Sequence, residues 1–219
     1  MTIQKKIMDS KEVRKIQVDK LEVRTLDGTD KRVVGGYVNK FNQQSSLMRD
    51  YWGDEFVEVM SDSAFNKTLE TKSQKALWNH NTDLVLGSVS AGTLNLFTDG
   101  IGLRCEITLP NTTWGNDAYE SIQRGDVDGM SFGFRCVEDM WSKTEYEGRE
   151  IYKRTILEVE LFEVSPCVFP AYPDSQINCR SLEDFKTISK EKRAKRLIVE
   201  TLLGVFLGII LTIIFNIII

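Results

Sequence analysis

Histidine is almost missing from this chain: there is one, His80, in 219 residues. Imidazole has an ordinary pKa close to physiological pH and is the usual proton shuttle for an activated nucleophile. Any histidine-assisted chemistry therefore belongs to this residue. Cysteine is also sparse. Cys105, Cys136, Cys167 and Cys179 form no C-x-x-C pair, and one imidazole with scattered thiols excludes the usual zinc clusters. No secretory signal is read ahead of them, so the expectation is a reduced, cytosolic protein. A net excess of positive charge is missing too. A net charge of −4 argues against a dedicated nucleic-acid binder.

What is present divides the chain into four parts. Residues 1–15 read as an N-terminal extension and 16–178 as one domain large enough to bury a core. Residues 179–196 read as a charged linker or helix, because Lys186–Arg196 carries six basic residues and one acidic one. Residues 197–219 form an apolar tail. Its last stretch, 201–219, is roughly 19 residues rising about 1.5 Å each, which would nearly cross a hydrocarbon core of about 30 Å. The basic residues before it would hold the domain on the cytoplasmic side. A C-terminal membrane anchor is the direct expectation; an amphipathic or oligomerising helix is the other.

The domain reads mostly as strands, over 16–26, 32–41, 55–60, 77–80, 84–89, 93–97, 102–108, 127–137 and 151–164. Turn signals fall at Asp27-Gly28, Asp99-Gly100 and Tyr146-Glu147-Gly148. Helices are predicted over 62–71 and 114–124. In the second, Ala118, Tyr119 and Ile122 share a face and Gly125 follows as a stop. The expected class is α+β, with mostly antiparallel strands in a curved sheet or barrel and a few helices.

Three positions carry chemistry. His80 ends the run Ala76-Leu77-Trp78-Asn79 and opens onto a polar loop; an ordinary half-buried histidine is the plain alternative. Ser131 lies in Gly129-Met130-Ser131-Phe132-Gly133, which matches the G-x-S-x-G nucleophile elbow in letters only. The elbow enzymes place their histidine after the serine, whereas here it comes before, and the alternating strands and helices of that fold are missing. A histidine and serine can still pair on another fold, because such sites are defined by geometry. The alternative is a strand in which Ser131 fills a tight spot. Glu163, in Leu161-Phe162-Glu163-Val164-Ser165-Pro166, could orient an imidazole, or could be solvated. By alternation it points away from Glu158 and Glu160 unless a bulge intervenes.

Together these pieces resemble the prohead (capsid maturation) proteases of tailed bacteriophages. The resemblance rests on the histidine after an apolar strand, the block Tyr119 to Phe134 ending in Met-Ser-Phe-Gly-Phe, and Glu163-Val164-Ser165 with Pro170-Ala171-Tyr172. It spans about residues 15 to 175. It implies a serine endopeptidase related in fold to the herpesvirus assembly proteases. Such an enzyme acts in the host cytoplasm, inside the immature procapsid, on scaffold, on the scaffolding segment of the major capsid protein, or on itself. It further implies Ser131 as nucleophile, His80 as general base and acid, and Glu163 as the orienting residue. No cofactor or metal is called for, and self-association follows only by analogy. Two other readings stand beside it: a non-catalytic scaffold or capsid-assembly protein held by its tail, and a thiol enzyme using Cys136 or Cys167.

Overall fold

In the computed structural model, residues 11–17, 21–25, 31–50, 52–168 and 180–218 are described. Pro170-Ala171-Tyr172 and Cys179 lie outside them. The chain divides into two compact units, residues 1–177 and 178–219.

Among the described residues, the first unit holds eleven strands and two helices. The strands are β1 (Glu12–Gln17), β2 (Glu22–Thr25), β3 (Arg32–Lys40), β4 (Met48–Arg49), β5 (Glu55–Met60), β6 (Lys75–Trp78), β7 (Asn81–Ser88), β8 (Leu94–Thr98), β9 (Gly102–Thr108), β10 (Gly129–Tyr146) and β11 (Arg149–Cys167). Helix α1 (Asn66–Leu69) follows β5, and α2 (Thr113–Arg124) precedes β10. The strands form a seven-stranded sheet around β10 and β11 and a four-stranded sheet ordered β2-β3-β9-β8. These sheets do not close into a barrel, so that half of the expectation is corrected. The mixed, mostly strand character is as read.

One apolar core joins the two sheets. Val34, Val38, Cys105 and Ile107 from the smaller sheet are clustered with Met130, Phe132, Phe134, Ile156 and Leu161 from the larger. Phe132 stacks on Phe134 at 5.3 Å and meets Phe65 edge-on at 5.9 Å. Each fully buried ring contributes about 2 kcal/mol of transfer free energy. Alternation along β10 sends these side chains to the core and leaves Ser131 and Gly133 on the opposite face.

Strand β11 organises the larger sheet. Its antiparallel partner β10 runs along one edge, while β5 and then β6 pair with the other edge in parallel. The β10–β11 hairpin turns at Glu147-Gly148, both left-handed (φ 49° and 77°), as the turn signal implied. Helix α2 begins with the Thr112 hydroxyl accepting the Gly115 N–H at 3.2 Å. It stops at Gly125 (φ 83°), where a residue without Cβ takes the left-handed conformation at no steric cost. The helix thus ends just before the strand that carries Ser131.

Three elements differ from expectation, the first two for clear reasons. The single strand expected over 16–26 is two strands in different sheets. The apolar positions change parity between Val18 and Leu21, which is where one strand would have had to break register. Residues 12–15, read as extension, belong to β1, because the inward side chains are charged and hydropathy hides them. The helix expected over 62–71 shrinks to α1, the preceding residues forming turns.

The second unit is helix α3 (Arg180–Ile218). Its exposed residues include Leu197, Ile198, Val199, Leu202 and Leu203. Among the described residues, no helix is long and apolar enough to cross a membrane. The anchor expected over 201–219 falls mainly on side chains outside the described residues.

Candidate active site

His80 sits in a tight turn of the larger sheet. Trp78 pairs with Asn81, so Asn79 and His80 form a two-residue hairpin loop, both left-handed at φ 51° and 63°. That pairing of conformations is a type I′ turn, which usually favours glycine at the second position. A histidine there costs on the order of 1 kcal/mol, and such strain persists only where the surroundings over-determine it. Here β11 supplies the restraint. The Asn79 N–H donates to the Pro166 carbonyl (3.1 Å), the Val168 N–H donates to Asn79 Oδ1 (3.1 Å), and the His80 N–H donates to Ser165 Oγ (3.3 Å).

The turn delivers the imidazole to Glu163, with Nδ1 lying 2.8 Å from Oε1. Glu163 is 3% exposed, and its other oxygen, Oε2, accepts the Ser165 hydroxyl at 2.7 Å. Lys11 Nζ stands 3.5 Å from Oε1. Burial works to raise the Glu163 carboxyl, but the hydrogen bonds from His80 and Ser165 and the charges of His80 and Lys11 hold it below its ordinary value. As a carboxylate it can only accept, so Nδ1 carries a proton. Nε2, the nitrogen that a general base needs, is buried and has no hydrogen-bond partner among the described residues. A buried polar atom left bare in this way calls for a functional explanation.

The strand register decides which other side chains share this face. Ser131 is directly opposite Ser165, and Gly133 opposite Glu163; directly opposed residues on paired strands project to the same side. Between Gly133 and Phe134 the register slips, Phe134 pairing with Leu161 and leaving Phe162 as the extra residue. This is the bulge that strict alternation lacked. It brings Glu163 to the same face as Glu160, which is opposite Arg135. Gly133 leaves room for the carboxylate, since a Cβ there would lie 2.3 Å from Glu163 Oε1 and one of the two would have to shift.

Ser131, His80 and Glu163 are therefore brought to one region, with one bond unmade. The Ser131 hydroxyl donates to the Arg14 carbonyl of β1 at 2.8 Å, not to His80. Ser131 is also fully buried. Strand β1 pairs along β10, with Lys15 opposite Ser131, and its Arg14 carbonyl occupies the serine's proton. Ser165, Gly133 and Arg14 were not assigned roles from sequence. Ser165 alone had a signal, being two residues from Glu163 and so on the same strand face.

The thiol alternative fares poorly. Cys136 is 4% exposed and Cys167 1% exposed, and burial pushes the Cys136 thiol up to about 12, away from the thiolate a nucleophile needs.

Comparison with known proteins agrees with the residue-level resemblance. The chain is 27% identical over 180 residues to the prohead protease of Enterobacteria phage HK97, covering 80% of this chain and 72% of that protein. Among solved structures, the bacteriophage T4 capsid assembly protease is similar with a TM-score of 0.46 and 11% identity, over 73% of this chain and 98% of that one. The family model for the caudovirus prohead serine protease matches residues 19–188, and the chain belongs to that family.

Proposed function

We propose that this chain is the serine endopeptidase of phage capsid maturation, with Ser131 as nucleophile, His80 as general base and acid, and Glu163 as the residue that orients the imidazole. Its substrate is the scaffold or the scaffolding segment of the major capsid protein, and its own chain is a second target. It works in the host cytoplasm, inside the immature procapsid. Kinship with the herpesvirus assembly proteases and self-association belong to the same proposal.

The observation that carries the reading is the state of His80. One ring nitrogen is held by a buried carboxylate, the other has no hydrogen-bond partner among the described residues, and β10, the strand paired with β11, presents Ser131 on the face that carries Ser165 and Glu163. In the reaction His80 takes the Ser131 proton at Nε2 as the oxygen attacks the scissile carbonyl. Glu163 stabilises the resulting imidazolium without itself taking the proton. The proton then passes to the leaving amine, and water hydrolyses the acyl-enzyme by the same route. The Ser131 hydroxyl must first turn from the Arg14 carbonyl to Nε2.

Co-expression with the major capsid protein tests this by intact mass. Wild type is expected to trim the capsid protein or itself, while Ser131→Ala and His80→Ala leave both whole. If all three leave the capsid protein intact and shells still assemble, the enzyme reading fails and the non-catalytic scaffold takes its place.

A further inference from the structure

The hydroxyl of Ser165 makes two bonds that nothing in the mechanism above uses. It is fully buried. It gives its proton to Glu163 Oε2 at 2.7 Å and accepts the His80 backbone N–H at 3.3 Å. A serine hydroxyl has one proton and two lone pairs, so both bonds can be made at once. They join the carboxylate to the backbone of the very residue whose ring that carboxylate holds. The result is a closed loop from His80 N–H through Ser165 and Glu163 back to His80 Nδ1.

We propose that Ser165 is a positioning residue for the His80–Glu163 pair, fixing at once the carboxylate and the left-handed turn that presents the imidazole. This rests on the serine-protease reading above. Two degrees of freedom would otherwise be loose. The Glu163 carboxylate could rotate about its last torsion, which is soft, and lose its alignment with Nδ1. The turn at Asn79-His80 is strained, and each restraint removed makes it easier for the backbone to relax towards negative φ. Ser165 acts on both, and its neighbours Glu163 and His80 polarise the two bonds in one direction, donor to carboxylate.

Packing alone does not require the hydroxyl, because alanine would occupy the same site without burying a polar atom. The two facing serines are also distinct in chemistry. Ser165 directs its proton to Glu163, whereas Ser131 directs its proton away, to Arg14. That separation leaves the nucleophile's role with Ser131.

His80 is the only histidine, so its ring nitrogens can be read without assignment in a ¹⁵N-histidine spectrum. The measurement is made on the full chain carrying Ser131→Ala, which prevents self-cleavage, with Ser165 native or changed to Ala, Cys or Thr. Native Ser165 is expected to show one tautomer, protonated on Nδ1. Ser165→Ala, and Ser165→Cys (which keeps the volume but donates weakly), are expected to show mixed tautomers, and Ser165→Thr to restore the single one. With Ser131 native, the Ala and Cys variants should lose at least about tenfold in kcat with KM within about twofold, as expected for lost orientation. A single Nδ1–H tautomer and native kcat in folded Ser165→Cys would overturn the proposal, as would failure of Ser165→Thr to restore the tautomer. The tautomer does not depend on catalysis. Should Ser131→Ala leave cleavage intact, the assignment of Ser131 as nucleophile falls alone and the spectrum still decides the role of Ser165.

Discussion

Gly133 shows how one missing methyl group can matter. The Glu163 carboxylate occupies the space a Cβ would take, with Oε1 2.3 Å from that position and the Lys11 Cε 2.5 Å from it. Both are ends of flexible side chains, so Gly133→Ala should fold. The carboxylate, however, is pinned by His80 and Ser165 and must give up one of them. In the proposed mechanism, this predicts at least about a tenfold fall in kcat, with the fold retained at a cost of about 1.5–3 kcal/mol for the lost bond to a buried carboxylate. Steady-state kinetics beside a melting curve checks it; native kcat would mean that the carboxylate can be displaced without harm. Read as letters, Gly133 belonged to the serine motif. Its reason for being glycine lies on the neighbouring strand, which a reading of local letters does not reach.

Strand β1 raises a question of access. It lies along β10, its Arg14 carbonyl holds the Ser131 proton, and Ser131 has no exposed surface. In the proposed reading, a peptide reaches Ser131 only when β1 shifts. Beyond its backbone ladder with β10, β1 is held by ions: Arg14 donates to both oxygens of Glu58 at 2.6 and 2.8 Å. Replacing one partner would strand a buried charge, at a cost of about 3–5 kcal/mol. The double change Arg14→Met with Glu58→Met removes both charges together and leaves Glu12 and Asp139 on Arg154. Weakening strand attachment by about 1 kcal/mol raises the open population about fivefold. Labelling of Ser131 by a fluorophosphonate should quicken by about that factor in the double variant. An unchanged rate would show that β1 does not limit access. This strand was the element least legible from sequence. Its inward residues Glu12 and Arg14 are charged, and amphipathic patterning assigns such residues to solvent.

The larger sheet as a whole is tied by the same ions. Arg154 is fully buried and donates to Glu12 at 2.8 Å, Asp139 at 2.8 Å and Glu58 at 3.1 Å, linking β1, β5, β10 and β11. Burial alone would raise the Glu12 carboxyl, but Arg154 and Arg14 bring it from an ordinary 4.5 down to about 2. A lowered carboxylate pKa stabilises the fold while the group is ionised. The contribution is therefore complete above about pH 4.5 and is lost as the pH falls towards 2. Linkage makes it worth roughly 3 kcal/mol at neutral pH. Denaturant unfolding of wild type and Glu12→Gln should differ by about that much at pH 7, and the gap should close below about pH 4.5. A gap that stays constant across this range would mean Glu12 does not contribute through its charge.

Local chemistry made much of this protein readable in advance. Alternation placed Met130, Phe132 and Phe134 on one face and Ser131 on the other, Glu147-Gly148 marked the hairpin, and Gly125 ended the helix. Each depends only on residues a few positions apart. His80, Ser131 and Glu163 were identifiable as the residues with chemistry to offer, through scarcity, motif and strand position. Their meeting was not. It depends on a one-residue slip at Phe162, on β6 lying parallel to β11, and on a strained turn held by Ser165. Burial of Glu12 and Arg154 likewise depends on partners far apart in the chain. Side-chain type is written in the sequence, but strand register and buried charge pairing are collective. Only the folded sheet, where each pairing constrains the next, decides them.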